Sequence, residues 1–316
     1  MRTVVLLGAN TALGRSIVEV LDEREVEADI RQAALTDSIG PGLDAIDEAL
    51  LSEGELFVLT FSGPMADGLV EGLLRLGKPV LDLRDQEARE DAPYVWPGVN
   101  PDAGADLDGP RVLRISVGLA SPVVALMQAL APLEPKCLQI STYESAARFG
   151  QEGMDELSAQ VRGIFTMQTV EPTVFPASLA FDAIPSLAGP EGDPFEADDQ
   201  MESAIEAGLS AVGLKAVEVL ATRVLVPTFS AEAACVHVEL AEPCEEQVIL
   251  ERLQSARTLR WSEEDLMPSL DTVGRDDALV GRLKVRGRRL SLWLSADRLK
   301  RGSATQVALA VERWLQ

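Results

Sequence analysis

The first fourteen residues constrain the fold most. Thr3-Val4-Val5-Leu6-Leu7 is an apolar, β-branched run that stops at Gly8, and from Gly14 onward Ile17, Val18, Val20 and Leu21 recur on one side of a helical pattern. The spacing predicts strand, turn, helix. The alternation continues, with strands over Ala28 to Leu35, Leu56 to Phe61 and Pro79 to Leu83, and a helix over Met65 to Leu76. Val112 to Val117 is one more strand before a helix over Val123 to Leu130. Strands alternating with helices predict a parallel sheet with helices on its faces, an α/β fold.

Beyond Pro132 the pattern changes. Leu138 to Tyr143 and Val219 to Pro227 are long β-type stretches, and Ala233 to Leu240 alternates Cys235, His237 and Glu239 against Ala234, Val236 and Val238. Leu279 to Val285 and Leu290 to Leu294 read as a hairpin around Arg286-Gly287-Arg288. A second, mainly antiparallel sheet with one covered face is expected. A Pro/Gly/Asp-rich loop, Ala188 to Asp199, precedes a helix from about Gln200 to Val212, and Ser303 to Leu315 is a final helix. A length of 316 residues suits two domains.

Charge narrows the function. The chain carries 28 basic against 51 acidic residues, a net of -23, and a field of that sign repels phosphate polymers and anionic membranes. Nucleic-acid and membrane partners are therefore not expected, and no apolar run approaches the ~18 residues of a membrane helix. Met1 to Leu7 is too short for a secretory signal, so a cytoplasmic location is the expectation. Cys137, Cys235 and Cys244 form no CxxC pair, which fits a reducing compartment and speaks against a cysteine-rich zinc site. No metal site is expected.

Gly8-Ala9-Asn10-Thr11-Ala12-Leu13-Gly14 stands where a dinucleotide-binding turn would, with backbone amides at a helix start open to a pyrophosphate. The middle position, where a missing side chain lets the backbone approach the phosphates, is the branched Thr11. Two readings stay open: a cofactor turn, or a tight βα turn whose glycines serve packing.

Several segments together resemble the aspartate-semialdehyde dehydrogenase family, to which N-acetyl-glutamyl-phosphate reductase is more distantly related. They run in the family's order: the Gly8 to Gly14 turn, Phe61-Ser62-Gly63, Val95-Trp96-Pro97-Gly98-Val99-Asn100-Pro101, Ala129-Leu130-Ala131-Pro132-Leu133 and Ser141-Thr142-Tyr143. Phe175-Pro176 with Ala180-Phe181 and Ile184-Pro185 follow, then Val226-Pro227 with Phe229, Val280-Gly281-Arg282, and Leu292-Trp293 with Ala296-Asp297 and Gly302. The resemblance implies a Rossmann-type doubly wound parallel sheet over 1–121 and an α+β dimerisation and substrate domain over 122–298. A C-terminal helix, 299–316, is then expected to pack back on the first domain. It also implies reductive dephosphorylation of an acyl phosphate by NADPH through a cysteine thioester, with a His acid/base, an acyl-positioning Gln, and Arg and Lys gripping anions.

Carried over position by position, that chemistry is missing. The family's Cys falls on Ser121, its Gln on Glu144, its His on Glu232, and an Arg on Leu225, with Arg223 two strand residues back on the same face. The substrate Lys falls near Glu202. The small loop that leaves room for nicotinamide and substrate becomes Ala147-Arg148-Phe149-Gly150, whose bulk would fill that space. The Arg that meets the NADPH 2′-phosphate becomes Asp37, which favours NAD over NADP if a dinucleotide binds at all. Gly8, Asn10, Thr11, Ala12, Leu13, Gly14, Asp37 and Ser62 are the candidate cofactor contacts.

Two alternatives accompany these positions. Ser121 could act as a nucleophile with Glu232 or Glu144 as base, or it could be a helix N-cap ahead of Pro122. Cys235 and His237 share a strand face and are read as packing or interface residues. Glu196, Asp198, Asp199 and Glu202 could hold a cation, or could be solvated acids favoured at a helix start. The expectation is a catalytically inactive, homodimeric homologue with a binding, regulatory or scaffold role. The alternatives are an NAD(P)-dependent oxidoreductase or Ser-based acyl hydrolase of altered chemistry, and a heterodimer with an active homologue.

Overall fold

A computed structural model describes residues 1–34, 40–84, 92–99, 107, 109–185, 192–264 and 266–316. The chain forms two compact units, residues 1–117 with 303–316, and residues 118–302.

In the first unit the order is β1 (Thr3–Leu7), α1 (Ala12–Glu23), β2 (Asp29–Ala34), β3 (Asp44–Ala45), α2 (Glu48–Glu53), β4 (Leu56–Leu59) and α3 (Pro64–Arg75). Then come β5 (Val80–Asp82), β6 (Tyr94–Val95), β7 (Val112–Ile115) and, from the end of the chain, α8 (Thr305–Leu315). The strands pair in parallel in the order β3-β2-β1-β4-β5-β7-β6. Because successive strand residues point to opposite faces, β1 feeds two cores. Val4 and Leu6 pack with Ile17 and Val20 of α1 and Val307 and Val311 of α8, whereas Val5 and Leu7 pack with Leu50 of α2 and Val70 of α3. Burial on both faces explains the near-continuous apolar run that the sequence shows there. The sheet is the doubly wound parallel one that the alternation predicts.

Polar contacts from Arg2, ahead of β1, and Arg24, just past α1, hold the last helix besides apolar packing. Arg24 donates through Nε and Nη2 to both carboxylate oxygens of Glu312, at 2.7 and 2.9 Å, and the Arg2 guanidinium lies 4.6 Å from the Trp314 ring centroid.

The second unit runs α4 (Ala120–Leu130), β8 (Pro135–Glu144), α5 (Gly150–Thr166), α6 (Glu196–Ala211), β9 (Glu218–Leu225), β10 (Ala231–Leu240) and α7 (Glu246–Gln254). It closes with β11 (Leu259–Trp261), β12 (Ala278–Arg286) and β13 (Arg289–Asp297). The sheet order is β11-β12-β13-β10-β8-β9. The three inner pairings are antiparallel and the two outer ones parallel, so the sheet is mixed. Helices α4, α6 and α7 pack together and cover one face. Along β8, residues 138, 140, 142 and 144 are buried while 137, 139, 141 and 143 are not, which leaves the other face open.

Some boundaries differ from the sequence reading, for physical reasons. Helix α4 starts at Ala120 with Leu119 as its cap, so Ser121 is inside the first turn and is not the N-cap. Pro122 is still tolerated, because first-turn amides have no intrahelical acceptor to lose. Helix α6 starts at Glu196, four residues earlier than expected, since acids at 196, 198 and 199 suit the positive end of the helix dipole. Helix α5 carries only a sparse apolar stripe, because Glu156 and Gln160 occupy buried positions.

These two polar residues act on backbone. Glu156 accepts from the Thr173 amide and hydroxyl at 2.9 and 2.7 Å, from the Val174 amide at 2.8 Å and from the Phe175 amide at 3.4 Å. One turn on, Gln160 Oε1 accepts from the amides of Leu179 and Ala180 at 2.8 and 3.0 Å. The connection following α5 is thus pinned by an i, i+4 pair on one helix face. Burial opposes ionisation of Glu156, but the Thr173 hydroxyl and the three amides outweigh it and hold its pKa below the usual carboxylate value.

Helix α6 does the same to β9, whose outer edge carries, among the described residues, only an isolated bridge between Leu225 and Ile184. Asp198 accepts from the Arg223 amide and Glu202 from the Ala221 amide, both at 2.7 Å, and the Leu225 amide reaches the Ile184 carbonyl at 2.8 Å. Helix residues four apart and strand residues two apart both lie about 6–7 Å apart, so the two sets match. The acidic cluster is therefore an edge cover, which replaces the solvated or cation-binding readings for Asp198 and Glu202.

Candidate functional site

At one end of the covered face, β8, β9 and β10 each turn a charged residue inward. Glu144 ends β8, Arg223 sits opposite Thr142 on β9, and Glu232 begins β10; all three are nearly fully buried, at 1%, 3% and 1% exposure. Arg223 grips Glu144 through both carboxylate oxygens, Nε to Oε1 and Nη2 to Oε2, the latter at 2.7 Å. Its remaining Nη1 donates to the Ala197 carbonyl at 3.0 Å. Arg148 Nη1 donates to Glu144 Oε2 and Thr142 Oγ1 to Glu144 Oε1, each at 3.1 Å. Glu232 Oε1 accepts from Arg298 Nη1 at 3.0 Å and from the Ser145 amide and hydroxyl at 3.3 Å. Its Oε2 is buried with no hydrogen-bond partner among the described residues.

The site depends on a glycine. Gly118 has φ +80, and a Cβ there would lie 2.7 Å from Arg298 Nη1 and 3.0 Å from Glu232 Oε2. The conformation and the space both need the missing side chain.

The two carboxylates titrate in opposite directions. Burial raises the pKa of each, at a cost of several kcal/mol for the charged form. At an effective dielectric constant of about 20, one guanidinium ~4 Å away returns about 4 kcal/mol. For Glu144 the burial effect is outweighed by Arg223 and then Arg148, and its pKa is held far below the ordinary value. For Glu232 burial prevails over the single Arg298, the Glu144 charge adds to it, and the pKa is raised. The signs for stability follow. The Glu144 contribution is present above its unfolded pKa of about 4.3 and is lost as pH falls toward its depressed folded value. The Glu232 contribution is fully present below about 4.3 and is lost as pH rises through its raised folded pKa. Thermal melts from pH 4 to 8 should therefore show a Tm decline on the alkaline side that Glu232→Gln flattens; an unchanged slope in that variant would contradict the assignment.

The structure gathers Glu144, Glu232, Arg148 and Arg223, as the sequence positions suggest, and adds Arg298, Ser145 and Thr142. Arg298 follows the Ala296-Asp297 segment directly, and a charge at the end of a buried strand was the available signal. Three expected positions play other parts. Leu225 is buried in an apolar cluster with Leu157, Phe175 and Leu179. Phe149 meets Phe175 edge-on at 5.4 Å in the same region, so only Arg148 of that pair enters the network. Ser121 is buried, and its Oγ makes no hydrogen bond among the described residues, so neither carboxylate serves it as a base. No cysteine belongs to the network: Cys137 and Cys235 are on the open face and Cys244 is in the segment after β10.

In the first unit the Gly8–Gly14 turn closes on itself. The Gly14 amide donates to Thr11 Oγ1 at 2.9 Å, Thr11 Oγ1 and Thr60 Oγ1 are 3.1 Å apart, and Thr60 Oγ1 donates to the Leu7 and Gly8 carbonyls at 3.1 and 3.0 Å. A Cβ on Gly14 would lie 2.2 Å from the Gly8 carbonyl oxygen, and one on Gly8 would lie 2.6 Å from Thr60 Oγ1. Both glycines are thus required by packing. Asn10 offers its carbonyl to Arg15 Nη1 at 2.6 Å, Ala12 and Leu13 belong to the first turn of α1, and Ser62 is exposed ahead of α3. Asp37 lies outside the described residues. One amide at the helix start, that of Gly14, is thus taken by Thr11 and is not open to a pyrophosphate. Thr11→Gly frees it at a cost of only a few tenths of a kcal/mol. A fluorescence titration with NADH should then show tighter binding than wild type, and equal affinity would count against Thr11 as the block.

Fold and site together define a two-unit α/β protein, with a parallel doubly wound sheet in one unit and a mixed sheet carrying a buried carboxylate–guanidinium network in the other. The profile described as the semialdehyde dehydrogenase dimerisation domain matches residues 124–301; the chain belongs to the semialdehyde dehydrogenase family. Aspartate-semialdehyde dehydrogenase of Synechocystis is 26% identical over 99% of this chain and 98% of its own. The USG-1 protein homolog of Pseudomonas aeruginosa is 24% identical over 98% and 96%. In structure, aspartate semialdehyde dehydrogenase II of Vibrio cholerae, solved in complex with ASA, covers 100% of this chain and 98% of its own, with a TM-score of 0.89 and 22% identity.

Proposed function

We propose that this chain is a non-catalytic member of its family, a homodimer with a binding, regulatory or scaffold role. The observation that carries the reading is the buried network: the side chains at the positions expected for the acyl-positioning Gln and the acid/base His are buried carboxylates, Glu144 engaged by Arg223 and Arg148 and Glu232 by Arg298. Glu144, held by two arginines, stays ionised near neutral pH and leaves no donor for a substrate, and Glu232 puts a buried carboxyl group engaged by one guanidinium where the family has an imidazole. The position expected for the thiol holds Ser121, whose hydroxyl meets no base among the described residues. The Ser-hydrolase alternative has no geometric support for the same reason.

The homodimer rests on the open face of the second sheet, where Tyr143 and Trp293 stack at 5.6 Å and Leu220 is 57% exposed, within the stretch that matches a dimerisation domain. A heterodimer with an active homologue would use the same face. Light scattering of the purified chain alone separates the two.

Activity is tested by incubating the protein with aspartate semialdehyde, phosphate and NADP and following absorbance. No NADPH formation above background is expected, and sustained turnover would overturn the reading. Calorimetry with NAD(H) and NADP(H) is expected to show weak or absent binding, with NAD(H) favoured over NADP(H).

A further inference from the structure

The chain has one histidine and three cysteines in 316 residues. That histidine and one of the cysteines are two residues apart on β10, on the open face, and they meet: Cys235 Sγ is 3.3 Å from His237 Nε2. We propose that Cys235 and His237 form half of a tetrahedral site for a divalent cation of the zinc class, completed by the same two residues of a second copy.

Three features support the assignment. The first is distance. With metal–sulfur bonds of about 2.3 Å and metal–nitrogen bonds of about 2.0–2.1 Å, tetrahedral ligands lie roughly 3.5 Å apart, so the pair already spans about one edge of such a site. The second is position. β10 and β13 are the two middle strands of the six, and a two-fold axis through the middle of a face sets residues near it against their own copies. The cross-strand neighbours there are Ser141 and Trp293 beside Cys235 and Gln139 and Ser291 beside His237, and a concavity of about 310 Å³ opens next to His237. The third is ligand count. No group of three or more His, Cys, Asp or Glu residues suited to a metal occurs among the described residues. At this site one chain offers two ligands, Cys235 and His237, and two chains offer the four that such an ion takes. Binding is balanced by proton release: two thiols lose two protons to solvent as two metal–sulfur bonds form, and both imidazoles bind neutral.

The proposal rests on the homodimer reading, and the experiment keeps the two apart. Chain mass is measured by light scattering in EDTA, then after addition of cobalt(II), with absorbance read in parallel. The expected result is one cobalt per two chains, with thiolate-to-cobalt charge-transfer bands and tetrahedral d–d bands. Both sets of bands should be lost in Cys235→Ser and in His237→Ala, while Cys244→Ser leaves them unchanged. A dimer in EDTA that takes up no cobalt overturns the metal site and leaves the homodimer intact. A monomer with and without cobalt overturns both. One cobalt per chain, retention of the bands in Cys235→Ser, or a Cys235–Cys235 disulfide in place of bound metal also overturns it, whereas a monomer in EDTA that dimerises with cobalt supports it.

Discussion

Arg223→Ala is expected to lower folding stability by about 3–5 kcal/mol, because it strips a buried carboxylate of its two-pronged partner and leaves Glu144 ionised with Arg148 alone. Urea denaturation reads the change directly, as a lower midpoint at unchanged slope. The double replacement Glu144→Met with Arg223→Met is the informative companion. Two buried charges that each cost several kcal/mol to desolvate are exchanged for apolar volume, so most of the loss should be recovered. If the double variant were as unstable as the single one, the shape of the Arg223 side chain would matter more than its charge.

Glu156→Ala is the second large effect, at about 3 kcal/mol. The carboxylate accepts from one hydroxyl and three amides, and each buried donor left without an acceptor costs about 1–3 kcal/mol, reduced where the connection loosens enough to admit water. Hydrogen exchange should show the amides of 173, 174 and 175 losing protection together in the variant, ahead of global unfolding. Retention of their protection would mean that the connection after α5 holds its course without the helix. Glu156→Gln keeps one acceptor oxygen and should fall between the two.

The parts of the fold that the sequence reveals are those in which side-chain polarity follows backbone period. β1 reads as a strand because both of its faces are buried, and β10 reads as a strand because its faces alternate. α5 does not read as a helix, since Glu156 and Gln160 occupy its inward face to bind backbone, and an apolar-periodicity count scores them as solvent positions. β3, β6 and β11 are two or three residues long and leave no period to detect. In the site, Glu144 and Glu232 were recognisable as carboxylates at positions expected for a Gln and a His. That each is engaged by guanidinium was not, because Arg148, Arg223 and Arg298 come from three different places along the chain and only folding brings them together. The Gly8–Gly14 turn shows the converse. Thr11 stood out as an obstruction, yet its capping of Gly14 and its hydroxyl relay through Thr60 are invisible without coordinates.

The edge of β9 has a consequence for assembly. An uncovered strand edge is a template on which another chain can add a strand, and it is the usual route to fibrils and swapped dimers. Here the outward amides of 221, 223 and 225 already have Glu202, Asp198 and the Ile184 carbonyl as acceptors, and the opposite edge is the three-residue β11. Among the described residues neither side leaves a long row of vacant donors. A second copy approaching the second unit is thereby directed away from end-on polymerisation, which suits the proposed homodimer, in which association through the broad open surface of the sheet closes after two.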